Sequence, residues 1–179
     1  KLLSFPLLRN LSFIRNKRGE LDLSLFRNYI TSEPTNLRLV RGNMLSGGSI
    51  NDINHEYVKP EFLEKKSSDY IMYDHGKKRL VCQQISNQLQ NIRLKFGECQ
   101  KNDVLGNSCN YITVSEELIP RMKVLLNSAL LNWRFKVTST NNHINNYELD
   151  ELPIIDLNLI TDEILKQEEV KQNTTICSL

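Results

Sequence analysis

Asp52, Glu64 and Lys66 are spaced as Asp…Glu-x-Lys, the pattern with which a metal-dependent nuclease holds Mg²⁺ between two carboxylates and activates water with a lysine. The stretch carrying the last two, "KPEFLEKKSSD", has the polarity of a solvated loop or short helix rather than of a buried strand presenting ligands. "GNMLSGGS" (42–49) opens like a phosphate-binding loop, but Gly48 stands where that loop needs its lysine. Ser49 lacks the second glycine of a nucleophile elbow, and no acid or histidine can be assigned to it. Cys82, Cys99, Cys109 and Cys177 sit at irregular spacings without a Cys-x-x-Cys. A His75/Cys82 pair would need two more ligands that the neighbouring sequence does not supply. The expectation is therefore buried free thiols in a reducing cytoplasm and no metal.

Asparagine chemistry is more suggestive. The tract "TSTNNHINN" (138–146) has no hydrophobic period and reads as a loop, in which asparagine tolerates positive φ. An Asn amide also donates and accepts as a fixed pair, which matches N6 and N7 of adenine in the major groove. Twenty asparagines across the chain dilute that signal, so the tract alone leaves a turn-rich connection and a base-reading loop equally open.

Positioning such residues needs a scaffold, and 179 residues at 20.8 kDa suit one domain plus accessory segments. With 40% apolar and 25% charged residues and no apolar run near the ~18 needed to span a bilayer, a membrane partner is not expected. The start "KLLSFPLLRN" imitates a signal peptide, but Arg9 cuts its apolar run and no small-residue cleavage site follows. It reads as folded sequence, taken from a longer chain because no initiator Met is present. The net charge of +2 conceals a partition: residues 70–145 hold 10 Lys and Arg against 5 Asp and Glu, whereas 146–179 hold 2 against 8. A basic middle suits a polyanion-binding face, although ordinary solvated surfaces share that composition.

The coarse pattern is mixed. "LRLVRG" (37–42), "NIRLKF" and "CNYITV" read as strands, and "DYIMYDHGKKRLVCQQI" (69–85) as a hairpin bending near Asp74, His75 and Gly76. From Arg121 to Phe135, apolar residues at Met122, Leu125, Leu126, Ala129, Leu130 and Trp133 predict one amphipathic helix, with Pro120 in its first turn. Its polar face carries Arg121, Lys123, Asn127 and Arg134.

Four segments in order, "LVRGNMLSGGSIND" (39–52), "RLVCQQISN" (79–87), "LLNSALLNWRFK" (125–136) and "NNHINNYELDELPI" (141–154), resemble the TaqI-like C-terminal specificity domain. This is the target recognition domain of adenine-specific DNA methyltransferases and fused restriction-modification enzymes, and the texture is nearest to the type IIS-associated subgroup. The resemblance implies an α+β fold: a mixed, strand-rich target recognition domain over 37–156 with a packed amphipathic helix. Residues 1–36 are then a connection from an N-terminal catalytic domain, and 157–179 an acidic tail with a helix in "TDEILKQEEVKQ". It implies double-stranded DNA as partner, together with a methyltransferase domain of the same chain, in a bacterial cytoplasm. Lys77, Lys78, Arg79, Arg93, Lys95, Arg134 and Lys136 are the implied phosphate contacts. Arg41, Asn43, Gln84, Asn87, Asn141, Asn142, His143 and Asn145 are the pool from which base-reading residues come, and "ELPI" returns the chain to the sheet.

Catalysis is expected elsewhere. All five prolines are isolated, so the Asn/Asp-Pro-Pro-aromatic motif that holds a flipped adenine is missing, and no Gly-x-Gly approaches a methyl donor. S-adenosylmethionine is accordingly expected in the parent protein and no cofactor in this segment. The competing expectations are the recognition domain of a type I specificity subunit, a protein-interaction domain docking through its acidic tail, and last the nuclease.

Overall fold

In the computed structural model, residues 4–168 are described, and their fold is α+β. Four antiparallel strands form the central sheet in the order β1 (Arg15–Arg18), β10 (Cys109–Thr113), β7 (Leu80–Gln83), β8 (Phe96–Glu98). Three two-stranded ladders surround it. These are β2 (Ile30–Thr31) with β6 (Tyr57–Val58), parallel β3 (Leu39–Val40) with β9 (Val104–Leu105), and the hairpin of β4 (Leu45–Ser46) with β5 (Ser49–Ile50). In that hairpin Gly47 and Gly48 take φ of 56° and 80°, the left-handed pair a two-residue turn demands. "GNMLSGGS" thus closes a hairpin and does not wrap a phosphate.

The two middle strands are buried on both faces, so their side chains divide by parity. Leu80, Cys82 and Ile112 join Phe96 in a core covered by the helices. Val81, Cys109 and Tyr111 face the other way onto Val40, Leu45, Cys99 and Leu105. Leu21, Leu37, Leu39, Val58, Phe62 and Val104 make a third cluster. Burying each Leu-sized side chain contributes roughly 1.5–3 kcal/mol, so the sheet is the rigid reference for everything attached to its ends. Cys82, Cys99 and Cys109 are free, buried thiols; Cys177 lies outside the described residues.

Several expectations are corrected. Residues 69–85 are not a hairpin: Ser67 caps helix α1 (Ser68–Tyr73), its hydroxyl accepting from Tyr70 N, and Gly76 at φ 72° turns the chain into β7. In "NIRLKF" only Phe96 enters a strand, because Arg93 and Leu94 are both buried and the alternation has no solvent face. The single helix is two. α2 (Ile119–Leu126) ends at Asn127, and Ser128, accepting from Leu131 N at 3.2 Å, caps a new helix, α3 (Ala129–Thr138). The break resets the helical phase, so α3 buries Leu131, Asn132 and Phe135 and leaves Leu130 and Trp133 exposed.

The limits 37 and 156 do not coincide with the packing. β1 is an edge strand of the central sheet, Leu8 and Leu21 are core residues, and Leu157 and Ile160 enter the helix-covered core. "ELPI" does not rejoin the sheet. After helix α4 (Asn146–Asp150), Pro153 forms an isolated bridge to Leu7, with Leu152 and Ile154 packed inward. The tail is helical from 162 to 168; the remainder of "TDEILKQEEVKQ" lies outside the described residues. No helix among the described residues is long and apolar enough to cross a membrane.

Candidate nucleic-acid interface

Two loops leave the same end of the sheet. β7 ends at Gln83 and runs into 84–92, while α3 ends at Thr138 and runs into 139–145. Ile144 is fully buried, and its carbonyl accepts from Asn110 Nδ2 on β10, which fixes the second loop against the sheet. The two loops then pair like an extra ladder. Ile144 N donates to Gln84 O at 2.7 Å, Ser86 N donates to Asn142 O at 2.9 Å, and Ile85 and His143 form an antiparallel bridge. Gln88 N adds a bond to Asn142 Oδ1 at 2.9 Å.

What this pairing presents is a rim of amides. Asn87, Gln88, Asn141, Asn142 and His143 are all exposed. Asn87 Oδ1 accepts from Leu89 N and Asn141 Oδ1 from His143 N, so each amide oxygen spends one lone pair on its own loop. The second lone pair and both Nδ2 hydrogens stay outward, which preserves the donor–acceptor pair needed at a base edge. Exposed Ile85, Leu89 and Ile92 are interspersed among these amides.

A cleft of about 390 Å³ adjoins the rim, lined by Leu23, Arg41, Gly42, Asn43, Gln83, Ile85 and Ser108. Gly42 is required there, because a Cβ would stand 2.5 Å from Ser108 O. Arg41 also walls a second cleft of about 520 Å³ with Leu23, Ser24, Arg27, Ile30 and Glu56. Arg41 is already held by Glu56 in a bidentate pair of 2.5 and 2.8 Å, so its fork is occupied and it serves as a wall. Of the residues singled out from sequence, Asn43, Gln84, Asn87, Asn141, Asn142 and His143 do gather at this end.

The cations divide differently. Lys95, one residue beyond the Cys82–Phe96 pair, lies at the loop end of the sheet. Arg134 and Lys136 lie on the last turns of α3, and none of these three forms an ion pair among the described residues. Lys77, Lys78 and Arg79 enter β7 at the opposite end, away from the amide rim. Lys78 pairs with Glu98 at 2.8 Å and Lys77 lies over the Tyr73 ring at 5.9 Å. Arg79 is 1% exposed and paired with Glu20, so it contacts no phosphate in this fold. Arg93, 0% exposed, is likewise interior. Asn145 is engaged within the fold: its amide and backbone N both donate to Glu148 Oε2 at 2.9 Å in a capping box at α4.

Gln83, Gln88 and Arg27 escaped the sequence reading. Strand parity held the signal for Gln83: two residues from Val81 on β7, it shares Val81's face and therefore meets the Arg41 loop. The nuclease spacing is not assembled. Lys66 donates to Glu20 O at 2.7 Å and lies over the rings of Phe26, Phe62 and Tyr70, and burial lowers its pKa. Among the described residues no three His, Cys, Asp or Glu side chains come together to hold a metal. Compared with protein-family models and with curated proteins, the chain matches none.

Proposed function

We propose that this chain recognises a short sequence in double-stranded DNA, as the target recognition domain of a type II adenine-N6 methyltransferase of a restriction-modification system. The observation that carries this reading is the stitching of 84–92 to 139–145, which holds several amide side chains outward on one rigid edge. Amides fixed in this way read base edges, while Lys95 at the loop end of the sheet and Arg134 and Lys136 on α3 neutralise phosphates and set register. Methyl transfer belongs to a separate domain that binds S-adenosylmethionine, and this chain places that domain over its adenine.

The test is selection from a randomised duplex library at two salt concentrations. A short enriched motif that is lost on Asn141→Ala with Asn142→Ala supports the reading; absence of retention at low salt overturns it. A second reading draws on α3, whose Leu130, Trp133 and Val137 are 50%, 57% and 62% exposed in one stripe. Such a face suits a protein-interaction domain, and binding that survives the loop substitutions but not Trp133→Ala would favour it.

A further inference from the structure

Arg93 carries its charge into the interior without a carboxylate at ion-pair distance among the described residues. Its partners are instead main-chain oxygens of the two loops. Nη2 donates to Asn141 O at 2.6 Å and to Ser86 O at 3.4 Å, and Nη1 donates to Ser139 O at 3.2 Å and Ser139 Oγ at 3.1 Å. Phe135 lies beneath the guanidinium with its ring centre 5.0 Å away, and Nε has no partner. The residue's own backbone is anchored, since Arg93 N donates to Asn132 Oδ1 at 2.7 Å on α3. An unpaired interior cation is costly unless its donors are taken up, and here the groups that take them up belong to both halves of the exposed rim.

We infer that Arg93 is a positioning residue for base recognition, whose planar fork holds the carbonyls of Ser86, Ser139 and Asn141 inward and thereby turns the side chains of 87 and 141–143 outward. The inference rests on the DNA-recognition reading for its functional meaning, but the clamp itself stands on the geometry. A guanidinium suits the task because its donors lie in one rigid plane, so one group spans carbonyls from two segments. Lysine offers three donors without that plane. Burial lowers the Arg93 pKa and the charge of Glu148 opposes the shift, yet an arginine stays protonated at neutral pH.

The experiment compares the full chain with Arg93→Lys and Arg93→Met by amide hydrogen exchange. Protection should fall about tenfold at Ser86, Gln88 and Ile144 in Arg93→Lys, and further in Arg93→Met, with Val81 and Tyr111 unchanged. A uniform loss across sheet and loops makes Arg93 ordinary core support and overturns the inference, as does an unchanged pattern. If Arg93→Met does not fold, Ser139→Ala removes one contact and should raise exchange at the same loop amides alone. In duplex selection, Arg93→Met, which removes the charge, should keep the wild-type salt slope while its enriched motif degrades. An intact motif with the slope reduced by about one would make Arg93 a phosphate contact and overturn the proposal. Failure of the wild-type chain to retain DNA would sink the functional reading, and hydrogen exchange would still decide the clamp.

Discussion

Arg79 and Glu20 form an ion pair sealed inside the fold, with Nη1 3.1 Å from Oε2 and the two side chains 1% and 3% exposed. Glu20 precedes the core residue Leu21 and Arg79 immediately precedes the central strand β7, so the pair fastens the N-terminal segment to the sheet. Glu20 Oε1 also accepts from Tyr70 OH at 2.7 Å and Leu105 N at 3.0 Å, and Arg79 Nη2 donates to Asp103 O at 2.6 Å. The network therefore joins α1, β7 and β9 around one buried charge pair.

Glu20→Gln leaves the Arg79 cation buried without its counter-charge and should cost ~3–5 kcal/mol. Urea unfolding should show a lower midpoint at an unchanged slope. Removing both charges with Glu20→Leu and Arg79→Met should recover a large part of that loss, because a buried pair stabilises far less than either charge alone destabilises.

A second prediction concerns the junction of α2 and α3. Asn127 straps β8 at both backbone groups of Phe96, accepting from its N at 2.8 Å and donating to its O at 2.9 Å. Asn127→Ala leaves those groups without this partner and should cost ~1–3 kcal/mol, whereas Ser128→Ala, which removes only the α3 cap, should cost ~1 kcal/mol. Thermal unfolding of the two variants separates the strap from the cap.

The phase of α3 gives a third. A continuous helix from Arg121 buries Leu130 and Trp133; the broken one buries Leu131 and Phe135. Leu131→Ala should cost ~2–5 kcal/mol and Phe135→Ala ~3–5 kcal/mol. Leu130→Ala and Trp133→Ala, at exposed positions, should each cost less than ~1 kcal/mol. Trp133 is the sole tryptophan, so the folded chain should emit like a solvated indole and be quenched by iodide.

What the sequence could reveal follows the range of each determinant. Strands β7 and β10 were legible in "RLVC" and "CNYIT" because β-branched and aromatic density is local. The helical stripe was legible as far as Leu126, and then a two-residue cap that looks like ordinary polar-face sequence shifted it. At the candidate site, the amides of 141–143 were visible as composition, but their pairing with 84–88 is set by Ile144 docking on Asn110, a contact 34 residues away in the chain. Basic residues misled for the same reason. Arg79 and Arg93 look like surface charges until Glu20 and three loop carbonyls are brought to them by the fold.

The buried thiols set a pH limit. Burial pushes Cys99 up to about 11 and Cys109 up to about 12, and pushes Cys82 higher still, against ~8.5 for a free thiol. Below that free value the folded and unfolded chains both hold the protons and the stabilisation is complete. Above it the unfolded chain releases protons that the folded chain retains, so stability falls as pH rises toward 11 and 12, by up to ~1.4 kcal/mol per pH unit for each thiol. Tyr70 and Tyr111, raised by burial in the same sense, steepen the fall above pH ~10. Urea unfolding should therefore give equal stability at pH 7 and 8 and a progressive loss from 9 to 10.5. Cys99→Ala should flatten that loss by the share of one thiol, and iodoacetamide should leave Cys82, Cys99 and Cys109 unmodified at pH 8 until the chain unfolds.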